Sequence, residues 1–428
     1  MVSVSAGGEH TLYARHDTAA TATIGMPSGK RLYSTGACGL GWCRLLPMTP
    51  GLFWFQPVPL PEPVRLFFAS YYHNLAVGKD TGRLYSWGCG TFTDGGLDGV
   101  IPALGQGTAN AEDKGGLPKV IHDDATDPVV DIAGGAYHSI ILKQSGALLT
   151  FGAGQLGQLS RPTSMTDASG LPVDSEPKPV RGLPAEEKVA SIGSAFYNTF
   201  AVCQSGRLYC AGENQNEQCG KGPKNLMAMT RVAELDGERI EQVQGGYCHT
   251  LIKTLEGKVF SLGCGDDGQR GDGRPLFGND EEDDDEDTGN VHPPADPRPV
   301  VSRVLLPNNE QARTVAAGAN HSVVLSTMGS AYAFGANDVG QCGVASTDGE
   351  PLVAPTKVIL PAEAGSVEEV SAGYAHTILT TDKGKVFVFG QNDNGQLGLD
   401  SDIVSNGQDP EPKRTPVQVA LSEREGTV

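Results

Sequence analysis

No apolar run reaches the ~18 residues a membrane-spanning helix requires, and Met1–Ser5 lacks the charged and apolar regions of a signal peptide. The chain therefore reads as soluble and non-secreted, with cytoplasmic residence expected, a cytoskeletal or ciliary setting compatible, and the nucleus not excluded. Clusters of Lys and Arg are also missing: 51 acidic residues against 32 basic ones give a net charge of −19. A nucleic-acid backbone or anionic membrane surface would repel such a protein, so neither is expected as a partner. The nine cysteines contain no C-x-x-C pair, which argues against a zinc site and suggests reduced packing residues. Amphipathic stretches of helical length are few. A nucleophile elbow, a zincin helix and a P-loop lysine are all absent, so no catalytic residue, metal or cofactor is expected.

Glycine and proline are plentiful, 57 and 28 among 428 residues, and they punctuate short β-branched and aromatic runs throughout the chain. That distribution marks an all-β fold. One stretch, Phe151–Leu159 (FGAGQLGQL), holds a G-x-G-x-x-G after the strand-like run 147–151, as a dinucleotide site would. Ser160–Ser164 then starts no helix, and a second match, Gly263–Gly268 (GCGDDG), also leads into Gly and Pro. Two such matches point to a repeat rather than a phosphate cradle.

Aligned on Gly-x-x-His-[Thr/Ser], the chain shows full copies ending in His10, His138, His249, His321 and His376, with Gly135, Gly246, Gly318 and Gly373 opening the last four. Degenerate copies are Ser70-Tyr-Tyr-His73 and 193–198, where Tyr197 or Asn198 takes the histidine slot. Each copy continues through a turn glycine into a second strand, as in Gly384–Gly390, then a polar turn such as Gly390–Gly398. A fourth strand announced by Pro118, Pro179, Pro299, Pro355 or Pro416 follows. Four strands recurring roughly every 50–70 residues imply a β-propeller. The expected units are 1–61, 62–122, 123–184, 185–237, 238–306, 307–361 and 362–428, forming a single domain.

These motifs resemble the regulator of chromosome condensation repeat family over nearly the whole chain. The resemblance implies an all-β, seven-bladed β-propeller of four-stranded antiparallel blades, while its members' functions range from Ran nucleotide exchange to ultraviolet reception and ubiquitin-ligase modules. Trp42, Trp54 and Trp87 do not flank the repeat histidines, as a light-sensing cluster would require. The repeat histidines fall in different blades, so they are expected to be structural, buried and hydrogen-bonded to local backbone.

Five copies expand between their third and fourth strands, at 91–116, 160–176, 274–297, 345–354 and 400–414, and strand alternation puts these loops on the face that holds the Gly-x-x-His turns. Insertions on one face mark a binding surface. The expected function is a non-catalytic protein–protein interaction scaffold within a larger assembly; exchange on a Ran-like GTPase is the alternative. The insertion of the fifth repeat, 274–297, contains eight consecutive acids: Asp280, Glu281, Glu282, Asp283, Asp284, Asp285, Glu286 and Asp287. This run is the candidate contact for a basic protein partner.

Overall fold

The computed structural model describes residues 2–16, 30–36, 56–88, 117–163, 165–166, 172–274, 299–345, 349–399 and 411–419. Seven antiparallel sheets form the blades of a propeller. The seventh is representative. Strand Val367–Ala372 faces the axis, and His376–Thr381, Val386–Gly390 and Lys413–Gln418 follow outward in chain order. We call these positions A, B, C and D in every blade.

Burial explains why the strands read as they do. Strand B of blades two to seven is buried at every position, because blades flank it on both sides, so apolar and small residues run through it without alternation. Strand D is the exposed edge, where a missing N–H is tolerated. Its proline is not always an opening residue, however. Pro118 precedes Lys119–His122 as expected, but Pro355 and Pro416 lie inside their strands and Pro179 ends Pro172–Pro179. In the third blade the insertion adds a fifth strand, Met165–Thr166, paired outside Pro172–Pro179.

The ring closes without exchanging a strand. Both terminal blades are built from contiguous chain, and blade one packs on blade seven through Ala6, Tyr13, Ile378, Val388, Leu397 and Val419. The Ala6 amide donates to Ser371 Oγ across this seam at 2.9 Å. Trp87 is fully buried between blades one and two, whereas Trp42 and Trp54 lie outside the described residues.

Candidate functional site

The repeat histidines build a belt between blades, which corrects the expectation of purely local backbone partners. Nε2 of His10 meets Asn74 Oδ1 at 2.7 Å, and His73 meets Ser139 Oγ at 2.7 Å. His249, His321 and His376 reach Ser322, Thr377 and Thr11 at 3.0, 2.8 and 3.1 Å. Each partner follows the histidine slot of the next blade. The hydroxyls of Thr11, Ser322 and Thr377 donate to the backbone carbonyls of Gln396, Gln269 and Gln341. A hydroxyl has one proton, so His249, His321 and His376 must donate from Nε2, which fixes the neutral tautomer. Burial pushes all six imidazoles below their usual 6.5, to about 3 or 4. His138 is the exception in bonding. It faces the degenerate fourth blade, approaches the backbone of Asn198, and neither ring nitrogen makes a hydrogen bond of ordinary geometry.

Asn198, rather than Tyr197, occupies the histidine slot there, fully buried, with its amide donating to the Glu213 carbonyl at 2.6 Å. The repeat glycines are needed for space. A Cβ on Gly373 would sit 2.2 Å from His376 Cε1 and 2.4 Å from the Gly7 carbonyl oxygen, and Gly135, Gly246 and Gly318 are equally crowded.

The opening glycine motif is likewise structural. The Leu156 amide is held by Gln158 Oε1, the Ala153, Gly154 and Gly157 amides donate to backbone carbonyls, and the Gln158 carbonyl accepts from Thr199. These donors are engaged within the fold, so the stretch is no phosphate cradle.

Main-chain hydrogen bonds join the A–B turns on this face from blade three through blade seven to blades one and two, and the Ser70 hydroxyl donates to the Gly135 carbonyl to link blade two to blade three. Phe196 N donates to Gly246 O, Tyr247 N to Ala319 O, Ala319 N to Tyr374 O, and Tyr374 N to Gly7 O. The C–D turns lie on the same face, because Glu213, Cys264, Ala336 and Gln391 donate their amides to carbonyls of the A–B turns. The described C–D turns thus share the face of the A–B turns, while the insertion 91–116 and most of 274–297 and 400–414 lie outside the described residues.

The two positions between glycine and histidine carry the aromatic side chains, a feature that reading tryptophans alone passed over. Phe196 is central: its ring lies 4.5 Å from Tyr71, 4.8 Å from Tyr197 and 4.9 Å from Tyr247. Tyr71 also meets Tyr374 edge-on at 6.0 Å. Tyr137 stacks between Tyr72 at 5.1 Å and Tyr197 at 5.9 Å. Below this cluster the A strands enclose a cavity of about 160 Å³ whose lining includes Tyr71. Phe196 is buried, yet Tyr247 and Tyr374 are 47% and 46% exposed, an unusual state for rings at the centre of a rigid face.

A carboxylate stands near one of the rings, Glu213 beside Tyr197, and further acids sit in the C–D turns. Burial raises the carboxyl of Glu213, and its charge contributes, after burial and Tyr247, to lifting the Tyr197 phenol to about 12. Asp267 is raised by burial, then by the charges of Asp266 and Asp338. Among the described residues, Glu213, Asp266 and Asp267 take part in no ion pair. The nearby arginines are committed elsewhere, since buried Arg161 pairs with Asp174 at 3.0 Å and buried Arg270 approaches Asp272 at 3.7 Å.

Two cysteine pairs depart from the reduced state expected for them. Cys210 is bonded to Cys219, and Cys248 to Cys264, with Cα atoms 5.6 Å apart in each. The second pair ties an A–B turn to its C–D turn beside Tyr247. Cys203 and Cys342 remain free and buried. The acidic run Asp280–Asp287 lies outside the described residues.

Two descriptions of the regulator of chromosome condensation (RCC1) repeat match this chain, one at residues 129–158, 312–341 and 367–396, the other at 328–380 and 383–428. Among curated relatives, the human probable E3 ubiquitin-protein ligase HERC6 is 29% identical over 278 residues, 63% of this chain but 24% of its own length. The ultraviolet-B receptor UVR8 of Arabidopsis thaliana is 28% identical over 348 residues, 80% of this chain and 68% of the receptor. The crystal structure of Prp20p from Saccharomyces cerevisiae superposes with a TM-score of 0.71 at 18% identity, covering 91% of this chain and 86% of that one, a likeness of fold. The matched repeats, the Gly-x-x-His turns and the seven blades show that this chain carries regulator of chromosome condensation repeats on a seven-bladed propeller.

Proposed function

We propose that the protein is a non-catalytic interaction scaffold that docks a protein partner on the face formed by its A–B and C–D turns. The observation that carries this reading is the half-exposed pair Tyr247 and Tyr374, standing on a hydrogen-bonded ring of turns. Large amphipathic rings on a preorganised backbone lose little entropy on binding and serve as anchors in protein interfaces. The proposal extends to membership of a larger cytoplasmic assembly, for example a cytoskeletal or ciliary one, in which Asp280–Asp287 attracts a basic partner. Proximity labelling in cells, with the tyrosines intact or replaced, tests it: labelling of one recurrent set of neighbours must depend on Tyr247 and Tyr374.

Nucleotide exchange on a Ran-like GTPase is the second reading. It is favoured by the acidic net charge of −19 and by the likeness of fold to Prp20p, a protein with binding properties to Gsp1p and histones. The scaffold reading predicts that this protein leaves the release of fluorescent GDP from Ran unaccelerated. A release rate rising with protein concentration would establish exchange instead.

A further inference from the structure

Blade five fastens its turns differently from its neighbours. In blades four, six and seven an asparagine closes the C–D turn: Oδ1 of Asn214, Asn337 and Asn392 accepts the amide of Cys219 at 2.7 Å, Cys342 at 3.2 Å and Leu397 at 3.1 Å. Blade five has Gly265 at that position, with no side chain to accept. Blade three has Gly154 there, but the Pro172 carbonyl holds its amide at 2.9 Å. What blade five has instead is the Cys248–Cys264 disulfide, ending one residue before Gly265 and tying the C–D turn to the A–B turn.

The two disulfides differ in access. Cys210 and Cys219 are 0% and 4% exposed, inside the apolar cluster between blades four and five. Cys248 and Cys264 are half-buried on the docking face, and Cys248 directly follows the half-exposed Tyr247. Thiol–disulfide exchange requires a thiolate to reach a disulfide sulfur, so of the two pairs the second is the one open to it. The strand pairing beneath has its own support. The Cys264 amide donates to the Cys248 carbonyl at 3.0 Å, and the same main-chain bond joins the same turns without a disulfide in four other blades: Ala153 to Tyr137, Glu213 to Tyr197, Ala336 to Asn320 and Gln391 to Ala375.

Building on the docking reading above, we propose that Cys248–Cys264 is a reversible thiol–disulfide exchange site that sets the rigidity of the face beside Tyr247. A thiolate of an external dithiol attacks one of the two sulfurs, forming a mixed disulfide and releasing the other cysteine as a thiolate, which takes up a proton. The second thiol of the reductant loses its proton and displaces the bound cysteine, whose sulfur is protonated in turn, and the reductant leaves as its own disulfide. Two electrons and two protons pass to the protein. Exchange with a small-molecule disulfide reverses the reaction. With the cross-link open, no side chain at Gly265 takes the place of the asparagine, so the C–D turn loses a tether that blades four, six and seven keep. Tyr247 then stands on a less ordered base, and the lost preorganisation weakens docking in the reduced form.

The test incubates the full chain with glutathione disulfide and blocks free thiols with N-ethylmaleimide. Dithiothreitol is then added without denaturant, and newly exposed thiols take an isotopically heavy maleimide that is mapped by peptide mass spectrometry. Heavy label is expected on Cys248 and Cys264, and on Cys210 and Cys219 only once guanidinium is added. Hydrogen exchange over 264–269 should become at least about tenfold faster on reduction, with 391–397 unchanged and melting still cooperative. Cys248→Ser/Cys264→Ser should show the faster exchange with or without dithiothreitol. Blocking of either cysteine in the first step, heavy label absent from the pair or shared equally with Cys210 and Cys219, loss of cooperative melting, or exchange unmoved by reduction would each overturn the site. In the cellular labelling described above, the serine variant should mark the recurrent neighbours more weakly than the unmodified protein. Equal marking by the serine variant while the tyrosine variant loses them would overturn the control of docking; equal marking by the tyrosine variant would instead remove the docking reading and leave the exchange site to the thiol measurements.

Discussion

Six buried neutral imidazoles make the fold acid-labile, and the size of the effect follows from their environment. Each folded value is depressed to about 3 or 4 from 6.5, with burial as the first cause. For a histidine lowered by folding, the unfolded chain takes up the proton first as pH falls. The stability contribution is therefore complete above the unfolded value and is lost as pH falls through 6.5 toward the folded value. Between about pH 7.5 and 5.5 each group loses about 1.4 kcal/mol, and six together about 8 kcal/mol. Asp131 works in the opposite direction. Burial raises it to about 6, so it returns about 1 kcal/mol over the same interval. The net loss is comparable with the roughly 5–15 kcal/mol that holds a domain folded. Guanidinium unfolding at a series of pH values measures it directly. Near pH 5.5 the slope should correspond to uptake of about five protons on unfolding. Uptake of fewer than about two, or a stability that is flat between the two pH values, would refute the burial of the belt.

Gly373→Ala should destabilise the fold by roughly 1–3 kcal/mol, because the new methyl collides with His376 and the Gly7 carbonyl. Gly384→Ala, at φ +70° with nothing within 4 Å, should cost only about 1 kcal/mol from its backbone conformation; equal melting shifts for the two variants would contradict the crowding argument. Replacing Asp280–Asp287 with Gly and Ser should lower the partner's on-rate at low salt and leave the off-rate nearly unchanged, the difference fading as salt rises. Identical on-rates for the two proteins in stopped flow at low ionic strength would remove the steering role.

The fold was legible because a propeller repeats its solution. Gly-x-x-His and the polar turn recur at the same places, and the hairpin glycines, Gly82 and Gly257 among them, do take positive φ. What repetition could not show was the contact between repeats. Gly373, which opens a histidine motif, has no left-handed φ and is needed instead for its closeness to a neighbouring blade. The histidines suggested local bonding, whereas their acceptors stand in the next blade, 56 to 73 residues ahead along the chain or 365 apart across the closing seam. The aromatic face did leave a trace in the sequence, in the pair of positions before each histidine slot: Tyr71 and Tyr72, Tyr137, Phe196 and Tyr197, Tyr247, Tyr374. It becomes a site only when closure of the ring brings those turns around one axis. The cysteine pairs left no comparable trace, since Cys210–Cys219 and Cys248–Cys264 have separations of 9 and 16 and sit in different parts of their blades.

The most direct test of docking on the A–B and C–D turn face is a quantitative affinity purification of three forms of the full chain from its native cell. These are the unmodified protein, Tyr247→Ala/Tyr374→Ala, and Leu305→Ala/Met328→Ala, whose side chains are exposed at 67% and 73% around the B–C hairpins and D–A connectors. The account predicts that partners captured by the unmodified protein are retained by the Leu305/Met328 variant and lost by the tyrosine variant. Retention by the tyrosine variant together with loss by the Leu305/Met328 variant would place the function on the opposite face and contradict it.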